Sequence, residues 1–318
     1  MSAVLTPDRI LKEMADVWRS LGTQGEPDTG MGVLRACSMT LVVIAGPRDE
    51  AQALGETIAA LMPEHPARAI VIHPEAAAGN LLTGRAFAQC WMPFGQRRQI
   101  CCEQIEIRAS EASLVDAIPV AAAITAPDLP VIVWCRDLRL LERLEFRNVA
   151  ALATRIVVDT APSSDPAAAI RLLRQRVSEG VPLGDLSWTR LTRWREMISR
   201  LFENRKLPQS VQARVGYSGT SIPVAARYMG AWLADSLQSA RGSANLKFEP
   251  DSERVELRGD GLHIELTRSG ARLHTVVDGI KHCAGLSLAT DYGLMQEELR
   301  IVGHDPIFER TLSAAAVL

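Results

Sequence analysis

Ile10, Leu11, Met14, Val17, Trp18 and Leu21 recur at helical spacing behind Thr6-Pro7, a cap residue followed by proline at the first helical position. The spacing predicts an amphipathic helix over residues 7–21, followed by a polar loop over 26–32. The pattern then changes. Residues 35–45 form a continuous apolar run ended by Gly46-Pro47, as expected of a strand buried on both faces. A helix over 48–62 and a second apolar strand over 67–73 complete a strand–helix–strand unit, the step from which parallel sheets are built. Residues 85–92 and 100–108 read as a hairpin joined through 93–98. Ser110 is placed to cap a helix running to Ile124, and residues 128–136 give a third central strand. A helix near 138–151, a strand over 155–160 and a helix over 165–179, stopped by Gly180, continue the alternation.

The next stretch, Asp185-Leu-Ser-Trp-Thr-Arg-Leu-Thr-Arg-Trp-Arg-Glu196, is the densest in chemistry. Asp185 or Ser187 can accept hydrogen bonds from the unpaired first-turn N–H groups of a helix. At about 100° per residue, Trp188, Leu191, Trp194, Ile198, Leu201 and Phe202 share one apolar face. Arg190 falls on one edge of it, and Trp188 and Arg195 lie near the other. Two readings follow. The helix packs as core while its arginines snorkel to water, or the rings and guanidinium groups form a surface that holds a carboxylate or phosphate.

Past residues 203–208 the pattern shifts. A strand over 211–217 and a helix over 221–237 precede short runs at 245–248, 254–258, 262–267, 272–277 and 282–286. Gly259-Asp-Gly261, Ser269-Gly270 and Asp278-Gly279 punctuate the later runs, which predicts an antiparallel meander with a packed helix. A last helix is expected over 291–301. The organisation expected is an α/β N-terminal domain over 1–206, with a mostly parallel, Rossmann-like sheet and flanking helices. A smaller α+β domain over 207–318, with the antiparallel meander, follows it.

Composition narrows the function. A chain of 318 residues suits two domains. With 47% hydrophobic and 23% charged residues and a net charge of −2, it has no overall field to draw it to nucleic acid or a membrane surface. No run approaches the ~18–20 apolar residues of a membrane span, and the N-terminus lacks the pattern of a signal peptide. The six cysteines include no Cys-x-x-Cys, which argues against zinc and thioredoxin-type chemistry and leads to the expectation of a reduced, cytoplasmic protein. Cys101 and Cys102 would face opposite sides of a strand and so not bond to each other.

Catalytic constellations are missing. There is no Gly-x-Gly-x-x-Gly, no Gly-x-x-x-x-Gly-Lys-Ser/Thr, no Gly-x-Ser-x-Gly and no His-Glu-x-x-His. Gly46-Pro47-Arg48-Asp49 cannot cradle a pyrophosphate, because proline removes a needed N–H. The expectation is therefore no catalytic residue, no metal and no cofactor. Three features remain. Tyr217-Ser-Gly-Thr-Ser221 precedes a helix whose free N–H groups could take an anion. Arg97-Arg98 is a basic hairpin tip, either solvated or a docking contact. Trp134 and Arg136 arrive at the carboxyl end of the third central strand, the edge where open α/β sheets bind ligands, and are expected to form an exposed ring–guanidinium pair.

Taken together, these stretches resemble the glucose-6-phosphate dehydrogenase assembly protein OpcA family. The resemblance rests on the 185–196 stretch and on Ala126-Pro-Asp-Leu-Pro-Val-Ile-Val-Trp-Cys-Arg136. Residues 35–44 and 68–73 and Val158-Asp-Thr-Ala161 add to it. Cys135 stands where the family often has tryptophan, and Arg193 where it often has proline. The resemblance implies a non-enzymatic partner that promotes assembly or activation of glucose-6-phosphate dehydrogenase in the oxidative pentose phosphate pathway. Trp134, Arg136, Asp185, Ser187, Trp188, Thr189, Arg190, Trp194 and Arg195 would then bind the partner or support the site. The alternative is a sugar-phosphate-binding or sugar-phosphate-acting protein with its site at the carboxyl edge of the sheet, and a sugar-phosphate effector is compatible with either.

Overall fold

A computed structural model describes residues 5–24, 33–77, 79–95, 98–203, 205, 207–286 and 289–318. The predicted loop over 26–32 lies outside the described residues, as does Arg97 of the basic tip. The chain divides into two compact units. One runs up to Val158 and includes Leu299–Gly303; the other is Asp159–Glu298 with His304–Leu318. The second unit thus holds residues 159–206, which the hydrophobic pattern had joined to the α/β part.

The first unit contains α1 (Pro7–Gln24), β1 (Val33–Arg35), β2 (Met39–Ile44), α2 (Ala51–Leu61), β3 (Ala67–Glu75), β4 (Leu82–Trp91) and β5 (Gln99–Ser110). After these come α3 (Leu114–Ala123), β6 (Val131–Cys135), α4 (Phe146–Leu152) and β7 (Arg155–Val158). Its strands lie in the order β1-β5-β3-β2-β6-β7, all parallel, with β4 antiparallel on the outer side of β5. The order β5-β3-β2-β6-β7 is that of a doubly wound sheet. The chain winds outward from β2 and returns to its other side at β6, so a crevice opens where β2 and β6 end. Every residue of β2 and β6 is buried, as strands covered on both faces require.

Local chemistry fixes the rest of this unit. α1 is held by a buried charge node: the Trp18 indole N–H and Arg35 both meet Glu103 Oε1 at 2.6 Å, and Arg68 meets Oε2 at 2.6 Å. Arg68 also donates to the Ile124 carbonyl. Ser110 does not cap a helix as expected; its hydroxyl pairs with Ser113 Oγ, and a short 3-10 turn, Glu111–Ser113, precedes α3. The β4–β5 hairpin forms as predicted, but with a further consequence. Its register sets Cys90 opposite Cys101, and the two are joined as a disulfide with Cα atoms 4.0 Å apart. The expectation of wholly reduced cysteines is corrected on this point, because cross-strand neighbours bring two Cβ atoms within bonding reach. Burial pushes the thiols of Cys102 and Cys135 up to about 11 and about 12. Alkylation at neutral pH without reductant should therefore modify exposed Cys283 first, leave Cys102 and Cys135 slow, and spare Cys90 and Cys101 until reduction.

The second unit contains α5 (Pro166–Ser178), β8 (Leu183–Asp185), α6 (Leu186–Thr189), α7 (Thr192–Phe202), β9 (Ser210–Tyr217) and α8 (Val224–Ser239). It continues with β10 (Ser243–Pro250), β11 (Arg254–Gly259), β12 (Leu262–Ser269), β13 (Arg272–Val277), β14 (Ile280–Gly285), α9 (Asp291–Glu298) and α10 (Pro306–Ala315). β11 to β14 form the predicted meander, within the sheet order β10-β9-β11-β12-β13-β14. β10 departs from the expected antiparallel layout. It runs parallel to β9, because α8 carries the chain back to the starting end between them. Gly230 lets α8 sit close on β10: a Cβ there would fall 2.7 Å from Phe248 Cζ. α10 was not anticipated from the apolar spacing. It is set by Asp305, which accepts from the Ile307 and Phe308 N–H groups, and by Pro306 at its first turn.

Candidate functional site

The 185–196 stretch folds into the centre of the second unit. It does not run as one helix. Asp185 caps α6 by accepting from the Ser187 N–H at 2.9 Å, and Thr189 Oγ1 lies 3.2 Å from the Asp185 carbonyl oxygen. Such a hydroxyl competes for the carbonyl of the preceding turn and bends helices. The chain then makes a turn at Arg190 and Leu191 before α7 begins.

Asp185 is fully buried and sits at the centre of a sealed polar node. Its Oδ1 accepts from the backbone N–H groups of Thr160 (3.1 Å) and Ser187; its Oδ2 accepts from the hydroxyls of Thr160 (2.5 Å) and Tyr228 (2.9 Å). The Ser187 hydroxyl is 2.9 Å from Thr160 Oγ1 and completes the chain by donating to it. Burial pushes the Asp185 carboxyl up to about 6, against the lowering effect of the Thr160 and Ser187 hydrogen bonds. Burial and the adjacent Asp185 also raise Tyr228, which keeps its proton and remains a donor.

Trp188 is the hydrophobic counterpart of that node. Its ring meets Tyr228 edge-on at 6.2 Å and Phe308 at 6.0 Å, and Tyr228 and Phe308 meet edge-on at 5.7 Å. Its indole N–H donates to Asp305 Oδ2 at 3.3 Å. The Arg195 guanidinium lies over the ring, 3.5 Å from its centroid. Burial lowers the Arg195 pKa to about 10, opposed by the carboxylates of Asp305, Glu297 and Glu298, and the side chain stays charged at neutral pH. Thr189 Oγ1 lies 2.5 Å from Glu298 Oε1 in the same buried layer.

Arg190 and Trp194 point elsewhere. Arg190 forms a two-pronged pair with Asp159, both bonds 2.8 Å. Burial would lower its pKa, but Asp159 more than offsets this. Trp194 is buried and, with Leu191, Met229, Arg254 and Arg268, lines a cavity of about 250 Å³. The predicted anion turn contributes Tyr217 and Ser218 to its wall. The arginines there are already matched: Arg254 with Glu249 at 2.9 Å, and Arg268 with Glu253 at 3.0 Å.

The predicted pair at the carboxyl edge of the first unit is also placed differently. Trp134 is fully buried rather than exposed, because β6 is covered on both faces. Arg136 lies over its ring at 4.5 Å and is clamped by Asp49 through bonds of 2.6 and 2.8 Å. Burial alone would raise Asp49, but Arg136 and the Gly46 N–H outweigh it and hold the carboxylate ionised. The Gly46 N–H is thereby spent on Asp49 at 2.7 Å, and Pro47 offers none. Beside this clamp lies a crevice of about 660 Å³, lined in part by Ile44, Pro47, Glu75, Glu111, Asp137 and Arg139. Among the described residues, no three His, Cys, Asp or Glu side chains are grouped to hold a metal ion, and no helix is long and apolar enough to cross a membrane.

The nine predicted residues thus fall into three arrangements. Asp185, Ser187, Trp188, Thr189 and Arg195 meet in one buried assembly; Arg190 and Trp194 border the cavity beside it; Trp134 and Arg136 belong to the first unit. Thr160, Tyr228, Glu298, Asp305 and Phe308 are essential to the assembly and were missed. Only Asp305-Pro306 carried a readable signal, as a helix start. Arg195→Ala should cost about 1–2 kcal/mol in chemical denaturation, and Arg195→Lys should recover only part, since an ammonium cannot lie flat on the ring. An unchanged denaturation midpoint would mean the stack contributes nothing.

Comparison with known proteins places the chain. It is 28% identical over 196 residues to an OxPP cycle protein OpcA of Synechocystis sp., covering 59% of this chain and 40% of that protein. The figures for its counterpart in Nostoc punctiforme are 25% over 181 residues, 55% and 38%. The chain therefore spans about 40% of the length of these curated relatives. Similar solved structures include UDP-N-acetylglucosamine 3-dehydrogenase GnnA from Acidithiobacillus ferrooxidans, at 12% identity and TM-score 0.47 over 88% of this chain and 95% of that one. The 3-ketoreductase KijD10 from Actinomadura kijaniata matches at 12% and 0.46, over 89% and 94%. At these values the likeness carries no functional argument. Two family models match in order, the glucose-6-phosphate dehydrogenase subunit N-terminal domain over residues 58–175 and its C-terminal domain over 181–312. The chain belongs to the OpcA family of glucose-6-phosphate dehydrogenase subunit proteins.

Proposed function

We propose that this protein is a non-enzymatic partner of glucose-6-phosphate dehydrogenase that promotes its assembly or activation in the cytoplasm. The observation that carries the reading is the in-order match of both dehydrogenase-subunit domain models, which together reach from residue 58 to residue 312. The chemistry of the assembly in the second unit is consistent with it. Asp185, Ser187, Thr189 and Trp188 are buried and bonded to one another or to neighbouring side chains, so they shape the unit rather than touch a substrate. A sugar-phosphate site at the carboxyl edge is the weaker reading. Arg136 is engaged by Asp49, and the loop after β2 presents a carboxylate and a proline where a phosphate would need N–H donors.

Size-exclusion chromatography of the chain mixed with the dehydrogenase of its own genome tests the proposal. The two should elute together and earlier than either alone; independent elution at micromolar concentrations of both would contradict it.

A further inference from the structure

Trp194 and Tyr217 border the same cavity in the second unit, and each is more than nine-tenths buried, at 6% and 9% exposure. Neither the Trp194 indole N–H nor the Tyr217 phenol O–H has a hydrogen-bond partner among the described residues. Buried tryptophan and tyrosine ordinarily find one, as Trp188 and Tyr228 do in the neighbouring assembly.

The rest of the wall adds donors. α8 opens on the cavity through Pro223, Ala225 and Ala226, and its N-cap is a proline whose side chain satisfies no first-turn N–H. The Arg254 Nε–H is buried and unpaired. The guanidinium charges of Arg190, Arg254 and Arg268 are matched by Asp159, Glu249 and Glu253. Glu253, the one carboxylate in the wall, is thereby occupied. What the wall lacks is acceptor oxygen. Between the polar groups it is apolar, with Leu191, Val215, Met229 and Val255.

We propose that this cavity binds a compact aromatic carboxylate, its ring on the apolar wall and its oxygens meeting the unpaired donors. Size sets the class. An apolar cavity of about 150 Å³ holds benzene, and on that scale the present volume suits roughly ten non-hydrogen atoms. Charge refines it, because hydrogen bonds to a carboxylate are about twice as strong as those to a neutral acceptor, and the start of α8 favours negative charge. A sugar phosphate fits less well, since its hydroxyls would lie unpaired against the apolar wall. The inference is independent of the proposed function and holds whether or not the dehydrogenase binds.

Isothermal titration of the full chain with phenylacetate, phenylacetamide, glucose 6-phosphate and inorganic phosphate tests it. Phenylacetate should bind with a Kd of about 1 mM or tighter. The isosteric amide should bind at least about tenfold more weakly, and neither phosphate should compete. Tyr217→Phe and Trp194→Phe should each weaken phenylacetate about fivefold while leaving the melting temperature unchanged, because each keeps its ring and removes a donor that has no partner in the free protein. In nitrogen-15 spectra, the indole N–H signal missing from Trp194→Phe should move when wild type meets phenylacetate. The wild-type titrations decide the matter even if a variant fails to fold. No binding of phenylacetate at about 10 mM overturns the proposal. So does equal binding of the amide, preference for glucose 6-phosphate or inorganic phosphate, or binding that leaves every indole signal in place.

Discussion

Asp185→Ala should destabilise the second unit by about 3–5 kcal/mol at pH 7, whereas Asp185→Asn should stay within about 1.5 kcal/mol of wild type. Alanine strands four donors, the Thr160 and Ser187 N–H groups and the Thr160 and Tyr228 hydroxyls, in a place water does not reach. Asparagine keeps an oxygen for the two backbone N–H groups. Its amide can then donate where Oδ2 accepted, because both hydroxyls can rotate to become acceptors. Asparagine also removes a charge whose burial is unfavourable.

The sign of that last effect sets a pH dependence. The folded carboxyl titrates near 6, above its ordinary 3.8. The stabilisation is fully present below about 3.8, where the group is protonated in both states, and it is lost as pH rises through 6. The loss amounts to about 3 kcal/mol. Denaturant titrations monitored by circular dichroism between pH 4 and 7 should show this decline in wild type and not in Asp185→Asn. Identical profiles for the two proteins would remove Asp185 from the centre of the assembly.

Trp188→Ala is expected to cost about 3–5 kcal/mol, the usual range for deleting a fully packed large aromatic. The ring packs against both Tyr228 and Phe308, and its N–H occupies the Asp305 carboxylate that caps α10. Its loss should therefore loosen α10 as well as α6. Hydrogen exchange should speed up in Pro306–Ala315 together with Leu186–Thr189. Trp188→Phe should cost less, since most of the apolar contact survives and only the indole donor is lost. Faster exchange confined to α6 would show that the ring does not couple the two helices.

The alternation of apolar runs and helical spacing was enough to predict the doubly wound part, because β2, β3, β6 and β7 are wholly or largely buried and write their burial directly into sequence. The β4–β5 hairpin and the four-strand meander were equally readable from spacing and turn residues. What escaped prediction depends on distant partners. β9, α8 and β10 have the pattern of a crossover unit, yet the turn signals around them suggested a meander throughout, so the parallel pairing was missed. Trp134 reads as a surface anchor because it arrives with Arg136 at the carboxyl end of a central strand, the edge where open α/β sheets bind ligands. Asp49, 87 residues away, holds that guanidinium over the ring, which is inside because β6 is covered on both faces.

The same holds for the candidate site. The 185–196 stretch stands out in the sequence, but Thr160, Tyr228 and Glu298 lie 25, 43 and 109 residues from the members they bond. No local spacing records such pairings. Within the stretch, Trp188 and Arg195 are engaged in packing inside the unit.

Under the proposed function, the chain acts on glucose-6-phosphate dehydrogenase without turning over substrate itself. Steady-state kinetics of the dehydrogenase from the same genome, titrated with this protein to saturation, test it most directly. The chain alone should produce no NADPH from glucose 6-phosphate, and its addition should change the enzyme's kcat or KM along a saturable curve that follows complex formation. Kinetics and assembly state both unaltered at saturation, or turnover by the chain alone, would rule out the proposed function.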